Sequence, residues 1–337
     1  MESTDVLLEI KNLKKHFPIK GGFFGGIKGH VKAVDDINLF VRQGETLGLV
    51  GESGCGKTTL GRCVVRGISS TEGEVLYKRE DGKTINFLEL KGRDLKSTRK
   101  DIQMIFQDPF SSLDPRMTVY DIIAEPLKVS KQEAGFDIDS RVKELAEVVG
   151  LNVKHLKRYP HAFSGGQRQR IGIARALSTN PRLIVCDEAV SALDVSVQAQ
   201  VINLLEDLQK QFGLTYIFVA HDLSVVEHIC DRVAVMYVGK VVEMTDTDNL
   251  FTTPKHPYTE ALMSAVPKPD PRNKMKRIVL EGEVPNPANP PKGCYFHPRC
   301  PHKKAICSIE CPSLQEVEPG HYSACHFAKE LNLSGVS

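Results

Sequence analysis

Short apolar runs alternate with helical patterns over most of the chain, from Val6 to about His256. Thr46–Val50, Leu183–Cys186 and Tyr216–Ala220 are rich in β-branched or aromatic residues, and a helical pattern follows each of them. Continuous apolar runs of this length are typical of strands that are buried on both faces of a parallel sheet. The pattern therefore predicts an α/β fold for this part of the chain.

Two further patterns predict turns. Val233–Tyr237 and Lys240–Met244 are separated only by Val238 and Gly239, and this spacing predicts a β-hairpin. Gly21–Gly29 is rich in glycine, a composition that predicts a mobile hairpin loop.

The pattern changes near Pro254. Prolines become dense from there to Pro319, which excludes long helices and favours an irregular chain. We therefore divide the chain into a domain of residues 5–255 and a C-terminal extension of residues 256–330. Since such an extension has few residues for an apolar core of its own, a bound metal would stabilise it.

Composition excludes several classes of protein. Hydrophobic residues make up 41% of the 337 residues, enough for a packed core. The net charge of +2 gives no reason to expect nucleic acid as a partner. The sequence contains no run of eighteen apolar residues, and its start lacks the apolar region of a signal peptide. We therefore expect a cytosolic protein that does not span a membrane.

A phosphate-binding motif stands between a predicted strand and a predicted helix. Gly51–Thr58 matches G-x-x-x-x-G-K-[ST]. In such a loop the backbone N–H groups surround phosphates, Lys57 reaches the β- and γ-phosphates, and Thr58 ligates Mg²⁺. The residues predicted to bind the nucleotide here are Gly51, Ser53, Gly54, Cys55, Gly56, Lys57, Thr58 and Thr59.

Two adjacent acids end a second predicted strand. Asp187 suits a water-mediated contact to Mg²⁺, and Glu188 suits the polarisation of an attacking water. Acids at this position also occur as helix N-caps, so the pair gains weight only from its context. About twenty residues earlier, Ser164 precedes a predicted helix, and the N–H groups of Ser164–Gly166 would face an anion.

Together these motifs resemble the ABC ATPase family over about residues 5–255. The resemblance implies a P-loop NTPase fold: a RecA-like core, an antiparallel β-subdomain and an α-helical subdomain at about residues 108–170. The family's L-S-G-G-Q signature has Phe163 in its first position here. The resemblance implies that the rest of the signature contacts ATP bound to the opposite ATPase subunit, through Ser164, Gly165, Gly166 and Gln167.

The same resemblance implies roles for four other parts of the chain. Gln107 resembles the Q-loop glutamine that senses Mg²⁺ and the attacking water, and His221 resembles the switch histidine. Ser191–Asp194 resembles the D-loop, and Phe17 falls where an aromatic ring stacks on adenine. The chain departs from the family at Ala189, where a proline is common, but this removes no catalytic group.

Several segments resemble the subfamily that powers oligopeptide and dipeptide import. They are Gly51–Lys57, Phe106–Arg116, His256–Leu262 and Gly293–Pro301. The resemblance implies a peripheral subunit at the cytoplasmic face of the membrane. It would pair with a second ATPase subunit beneath two permeases, which receive peptide from an external binding protein.

Some alternatives stay open at this point. Nickel importers share the same layout, and the ATPase pair could be two copies of this chain or two different chains. Residues 111–125 would meet the permease, or they form an ordinary solvated loop. ABC-type ATPases that act on ribosomes or DNA are a less favoured alternative, because they usually have a second core or a long coiled coil.

Five cysteines crowd into the C-terminal extension: Cys294, Cys300, Cys307, Cys311 and Cys325. In a reducing compartment such crowding favours a metal over disulfides. Thiolates suit an iron–sulfur cluster or zinc, and free thiols are the remaining possibility. The subfamily resemblance implies a structural [4Fe–4S] cluster on Cys294, Cys300, Cys307 and Cys325, with Cys311 as an additional thiol.

Overall fold

The structure is a computed structural model that describes residues 6–21, 26–130, 137–266 and 277–335. The chain divides into two compact units. The first unit contains Met1–Val41, Thr46–Leu88 and Ala220–Ser337, and the second contains Arg42–Glu45 and Glu89–Val219. None of the helices in the described part of the chain has the length and apolar character that crossing a bilayer requires.

The regular elements follow in chain order. The strands are β1 (Val6–Gly21), β2 (Gly26–Arg42), β3 (Thr46–Val50), β4 (Glu72–Lys78), β5 (Thr84–Asn86), β6 (Ile102–Ile105), β7 (Leu183–Asp187), β8 (Thr215–Val219), β9 (Arg232–Tyr237), β10 (Lys240–Asp246), β11 (Gln315–Glu318) and β12 (His321–Ser323). The helices are α1 (Lys57–Val64), α2 (Gly92–Arg99), α3 (Val119–Ser130), α4 (Ile138–Val148), α5 (Gly165–Leu177), α6 (Val195–Phe212), α7 (Leu223–Ile229), α8 (Thr247–Thr252) and α9 (Pro257–Met263).

The first unit contains two groups of paired strands. In one of them the order is β11-β12-β10-β9-β3, with β3 parallel to β9 and the other pairs antiparallel. The predicted hairpin is confirmed as β9 and β10, and its two-residue turn has φ of 43° at Val238 and 77° at Gly239. Positive φ at both central residues is the geometry of the type I′ turn that joins twisted strands.

The other group of strands in the first unit is a small sheet in the order β2-β1-β4-β5, in which β4 is antiparallel to both β1 and β5. The predicted glycine loop Gly21–Gly29 falls between β1 and β2. Gly22–Gly25 lie outside the described residues, and the rest of that stretch belongs to the two strands.

The second unit contains a parallel set of strands in the order β8-β7-β6. Every residue of β7 and of β8 is buried, as the apolar runs Leu183–Cys186 and Tyr216–Ala220 predict. Helix α5 packs against α3, α4 and α6, so the helices of this unit have a core of their own. The Ser164 hydroxyl accepts a hydrogen bond from the Gln167 N–H, and this capping box fixes the start of α5.

The C-terminal segment (residues 256–266 and 277–335) is mostly irregular, as its proline content predicts. Strands β11 and β12 and helix α9 were not expected from the sequence. Strand β12 pairs with β10, so this segment continues the sheet of the first unit. The segment also buries Tyr258 and Phe296 against Tyr237, with ring centroids 4.6 and 5.3 Å from that of Tyr237. Aromatic packing therefore gives the segment an apolar anchor without a metal.

A buried carboxylate attaches the C-terminal segment to β10. Glu243 has no exposed surface and accepts hydrogen bonds from the N–H groups of Lys255 (2.6 Å) and His256 (2.9 Å). The His321 Nε2 atom lies 2.7 Å from the same carboxylate. One side chain thus bonds to both ends of the segment, at His256 and at His321, and to Lys255 immediately before it.

We expect Glu243→Ala to lower the free energy of unfolding by about 3 kcal/mol, because it leaves several buried donors without an acceptor. Chemical denaturation followed by circular dichroism measures the effect. Glu330→Ala is the matched control, since the ion pair of Glu330 with Lys304 is exposed and its loss should leave the midpoint unchanged. Equal midpoints for the two variants would contradict the anchoring role of Glu243.

Candidate nucleotide-binding site

The predicted phosphate loop joins β3 to α1 within the first unit. Gly51, Gly54 and Gly56 have φ of 146°, 79° and 108°, a region that side chains rarely tolerate. A Cβ atom at Gly51 would lie 2.1 Å from the carbonyl oxygen of Met236, and one at Gly56 would lie 2.0 Å from that of Ala33. Both positions therefore require glycine for its backbone freedom and for its lack of a side chain.

Lys57 lies within this loop. Its side chain is buried, and its Nζ atom donates hydrogen bonds to the carbonyl oxygens of Gly51 (2.7 Å) and Glu52 (3.2 Å). The ammonium group is therefore held along the loop by acceptors that the loop itself supplies. Thr58 and Thr59 follow in the first turn of α1, at the helix end whose dipole attracts an anion.

Two more predicted residues belong to the first unit. His221 is exposed and comes just before α7. Phe17 lies in β1 with 39% of its surface exposed, and the Lys15 ammonium sits 4.8 Å from its ring centroid. An exposed ring of this kind is free to stack on a base.

The second unit brings two predicted catalytic side chains into direct contact. The Gln107 Nε2 atom donates a hydrogen bond of 2.6 Å to the Glu188 carboxylate, although 81 positions separate the two residues. Gln107 follows β6 and Glu188 follows β7, and these strands are parallel neighbours. Their carboxyl ends meet at the same edge, where α/β proteins bind ligands.

The backbone at this edge is strained. Asp187 is fully buried at the end of β7, and Glu188 has φ of 47°, in the left-handed region. The Glu188 N–H donates to the Val219 carbonyl, while its own carbonyl accepts from Ser191. Left-handed backbone costs about 1–2 kcal/mol for such a residue, and strain of this kind is concentrated at functional sites.

The signature residues lie at the start of α5, also in the second unit. Ser164 caps the helix, and Gly165, Gly166 and Gln167 form its first turn. A helix start of this composition presents backbone N–H groups to an anion. The predicted Asp194 caps the next helix, α6, where its carboxylate accepts from the Val197 N–H.

Four of the five clustered cysteines line one small cavity in the C-terminal segment: Cys294, Cys300, Cys307 and Cys325. Cys311 does not line it and is exposed. Burial raises the pKa of Cys294, Cys300 and Cys325 to about 11, so their thiols are protonated near neutral pH. Among the residues that the structure describes, no three side chains are arranged closely enough to form a metal site.

Sequence reasoning missed the residues that contact the loop from outside. The Tyr258 hydroxyl accepts a hydrogen bond from the Glu52 N–H, and Arg299 forms an ion pair with the Glu52 carboxylate. Tyr258 and Arg299 lie in segments that carried the family resemblance, but no local pattern connects either of them to the loop. An acid within a phosphate loop was the only available signal, since it calls for a cationic partner.

Family models match two parts of the chain. Residues 34–191 match the model for the ABC transporter, and residues 242–307 match the oligopeptide/dipeptide transporter C-terminal region. The first match spans the phosphate loop and the acidic pair. The second includes three of the cavity cysteines and ends before Cys325.

Full-length relatives extend this similarity. The chain is 54% identical to the oligopeptide transport ATP-binding protein AppF of Bacillus subtilis, with 96% of this chain and 98% of AppF covered. It is 52% identical to the oligopeptide transport ATP-binding protein OppF of Salmonella typhimurium, with 96% and 95% covered.

Solved structures show the same fold. The ATP-binding cassette MJ0796, in a dimeric post-hydrolysis state bound to ADP and Pi, has a TM-score of 0.61 at 29% identity, over 72% of this chain and 99% of that one. CbiO1 from Clostridium perfringens, part of the ABC transporter complex CbiONQ, has a TM-score of 0.60 at 27% identity, over 73% of this chain and 91% of that one.

The fold and the glycine loop define a P-loop nucleotide-binding protein. With the two family matches and the full-length relatives, the chain belongs to the ABC transporter ATPases that carry the oligopeptide/dipeptide transporter C-terminal region. The predicted family and the predicted ATPase class are both confirmed.

We expect Gly56→Ala to destabilise the protein by about 2 kcal/mol or more and to abolish ATP binding, because the added methyl group meets the Ala33 carbonyl. Gly82→Ala is the matched control: Gly82 also has positive φ, at 79°, but no atom of the residues that the structure describes lies within 4 Å of its Cβ position. Differential scanning calorimetry and titration with ATP measure both effects. Retained ATP affinity in Gly56→Ala would contradict the need for close approach at this glycine.

Proposed function

We propose that the chain is the ATP-hydrolysing subunit of an importer for oligopeptides or dipeptides. The hydrogen bond between Gln107 and Glu188 carries the chemical part of this proposal, because it joins the predicted water-positioning pair at the edge where a nucleotide would react. Peptide as the cargo rests on the C-terminal family match and on relatives that are described as oligopeptide transport proteins.

In this proposal the loop residues hold the phosphates of ATP and Phe17 stacks on the adenine. Lys57 exchanges its contacts with the Gly51 and Glu52 carbonyls for phosphate oxygens. The hydroxyl of Thr58, the carboxylate of Asp187 and the amide oxygen of Gln107 are hard oxygen donors that suit Mg²⁺. When bound, Mg²⁺ would neutralise charge that develops on the phosphates.

Glu188 is the proposed general base, with its carboxylate oriented by the Gln107 amide. A water held by Glu188 would lose one proton to that carboxylate as its oxygen bonds to the γ-phosphorus. The bond from that phosphorus to the β–γ bridging oxygen would break in the same step, and ADP would leave with the bonding electron pair. His221 is the proposed partner that keeps the γ-phosphate and Glu188 in register. The left-handed backbone of Glu188 fits this role, because strained conformations are retained where the orientation of a functional side chain is required.

The start of α5 is proposed to complete the nucleotide site of a second ATPase subunit. Ser164, Gly165, Gly166 and Gln167 would contact the γ-phosphate there, with Asp194 of the D-loop near the seam between subunits. The dimeric state named for MJ0796 supports this arrangement. The partner is a second copy of this chain or a related ATPase subunit.

Two permease subunits and an external peptide-binding protein are the other proposed partners, so the chain would act at the cytoplasmic face of the membrane. Residues 111–125 are the proposed contact with the permeases. Nucleic acid is not a proposed partner. We assign residues 5–255 to the ATPase domain, with a helical subdomain at about residues 108–170, and residues 256–330 to the C-terminal extension.

The cysteine cavity is proposed to hold a [4Fe–4S] cluster, with zinc as the alternative. The types of its donors suit either group, because four thiols line the cavity. The same cavity is lined by His256, His297, His302 and His326. Binding would have to draw the thiols together, since no three of the described side chains are close enough to share a metal ion. The proposed role is structural. A bound cluster would join the loop of Cys294–Cys307 to Cys325, beyond β12.

We expect Glu188→Gln to lower the steady-state rate of ATP hydrolysis by about 100-fold or more, because the amide cannot accept the proton from water. ATP binding should persist, and size-exclusion chromatography with ATP should show a stable dimer. Phosphate release measures turnover. Glu147→Gln, at an exposed position of α4, is the matched control and should hydrolyse ATP at the wild-type rate.

Turnover in Glu188→Gln equal to that of the control would remove Glu188 from its proposed role. Loss of ATP binding in the same variant would instead indicate a structural defect at the edge of the sheet.

We expect Cys300→Ser to lose most of its bound iron and its broad visible absorption after anaerobic purification, because one of four thiolates is missing. Cys311→Ser should keep both, since Cys311 does not line the cavity. Metal analysis and visible spectra make the comparison. Stoichiometric zinc and no visible absorption in the wild type would refute the iron–sulfur proposal.

A further inference from the structure

The second residue of the phosphate loop is held by two residues far along the chain. The Glu52 N–H donates a hydrogen bond of 2.9 Å to the Tyr258 hydroxyl. The Glu52 carboxylate accepts from both terminal nitrogens of Arg299: Nη1 donates to Oε2 at 2.9 Å and Nη2 donates to Oε1 at 3.2 Å. Backbone and side chain of Glu52 are thus both fixed by the C-terminal segment.

The ion pair between Arg299 and Glu52 is bidentate and partly buried. Two parallel N–H···O bonds join a planar guanidinium to a carboxylate, a geometry that lysine cannot reproduce. The Arg299 side chain is only 8% exposed and that of Glu52 is 30% exposed, so solvent screens the pair less than a surface pair. Removing the arginine would leave a partly buried carboxylate without its counter-charge.

A rigid support positions the guanidinium. Arg299 Nη1 also donates to the Tyr237 hydroxyl at 3.3 Å. The Tyr237 ring packs on those of Tyr258 and Phe296, and the Tyr258 and Phe296 centroids lie 5.5 Å apart. Tyr237 ends β9, next to the Val238-Gly239 turn whose Gly239 N–H donates to the Cys55 carbonyl of the loop.

Arg299 also belongs to the turn that carries two of the cavity cysteines. From Cys294 to Cys300 the backbone N–H groups of His297, Arg299 and Cys300 each bond to the carbonyl three residues earlier. Arg299 immediately precedes Cys300. The same short turn therefore supplies thiols to the cavity and a guanidinium to the phosphate loop.

A carboxylate in a loop that binds a triphosphate creates an electrostatic problem. Left unpaired, Glu52 would repel the nucleotide and would be free to compete for Lys57 and for the N–H groups that the phosphates need. Pairing with Arg299 neutralises this charge and draws the carboxylate towards the C-terminal segment. Tyr258 accepts the Glu52 N–H and fixes the peptide at the start of the loop.

We propose that Arg299 and Tyr258 are positioning residues of the nucleotide site, so that the C-terminal segment is required for tight ATP binding. This inference rests on the proposed function, since it presumes that the loop binds ATP. Neither residue is a catalytic residue. Both act through Glu52.

The test is a cycle of variants in the full-length protein, with the dissociation constant for ATP measured by isothermal titration calorimetry. Arg299→Met should weaken ATP binding about five- to tenfold, because it leaves Glu52 unpaired. Glu52→Gln should weaken it less. The double variant should bind like Glu52→Gln alone, since removal of the carboxylate relieves the repulsion that Arg299→Met creates.

Rescue by the second substitution separates positioning from general damage, because a misfolded segment would not recover. Arg299→Lys keeps the positive charge but cannot form the bidentate contact with the Glu52 carboxylate. Its dissociation constant for ATP should lie between those of the wild type and of Arg299→Met. Tyr258→Phe should weaken binding about threefold through loss of one acceptor. Lys304→Met is the control in the same segment, where Lys304 forms an exposed ion pair, and should bind ATP like the wild type.

Wild-type affinity in Arg299→Met, or a double variant as weak as Arg299→Met, would overturn the inference while leaving the proposed function intact. Failure of the wild-type protein to bind ATP at all would instead refute the proposed function.

Discussion

A phosphate loop must keep backbone N–H groups available for an anion, which limits the hydrogen bonds that it can form within itself. In this protein the Lys57 ammonium bonds to two loop carbonyls, and further contacts come from outside the loop. The Gly239 N–H bonds to the Cys55 carbonyl, and the Met236 and Ala33 carbonyls press against Gly51 and Gly56. The β9–β10 hairpin supplies two of these three contacts, and its turn has a β-branched residue, Val238, in the left-handed region. Local strain in the hairpin thus accompanies the fixed geometry of the loop.

The C-terminal segment is attached to the β9–β10 hairpin, which contacts the loop. The pairing of β12 with β10 and the bonds of Glu243 to Lys255, His256 and His321 fix the segment beside β10. The aromatic cluster around Tyr237 then packs between the segment and the hairpin. A proline-rich chain with little apolar sequence is stabilised here by one buried carboxylate and a few large rings. A metal in the cysteine cavity would add to this attachment, which does not depend on it alone.

Local patterns predicted the parts whose chemistry is local. Strand β3 begins and ends at the predicted residues, β7 and β8 agree within a residue at each end, and Ser164 caps α5 as its position before Gly165 indicates. Strands β11 and β12 were not predicted because each is only three or four residues long and mostly polar. Such short segments show no alternation of apolar and polar residues. Their pairing is decided by the edge of β10, which a sequence window cannot contain. The roles of Gln107 and Glu188 toward the attacking water were predicted, but their direct hydrogen bond was not, and the contacts of Glu52 followed from no pattern.

An acidic residue within a phosphate-binding loop, such as Glu52, indicates that a cationic partner lies elsewhere in the chain. Three of the eight loop residues are glycines and one is the cation Lys57, and all four favour the binding of an anion. The negative charge of Glu52 repels an anion. A cation beside Glu52 would offset this charge, and a buried cation needs polar partners of its own. Arg299 meets both conditions, because Tyr237 and Glu52 share its terminal nitrogens and the turn from Cys294 to Cys300 fixes its backbone. Hydrogen bonds therefore connect the nucleotide loop to the cysteine-bearing turn through Glu52 and Arg299. We expect a substitution that displaces the turn to alter the conformation of the loop as well.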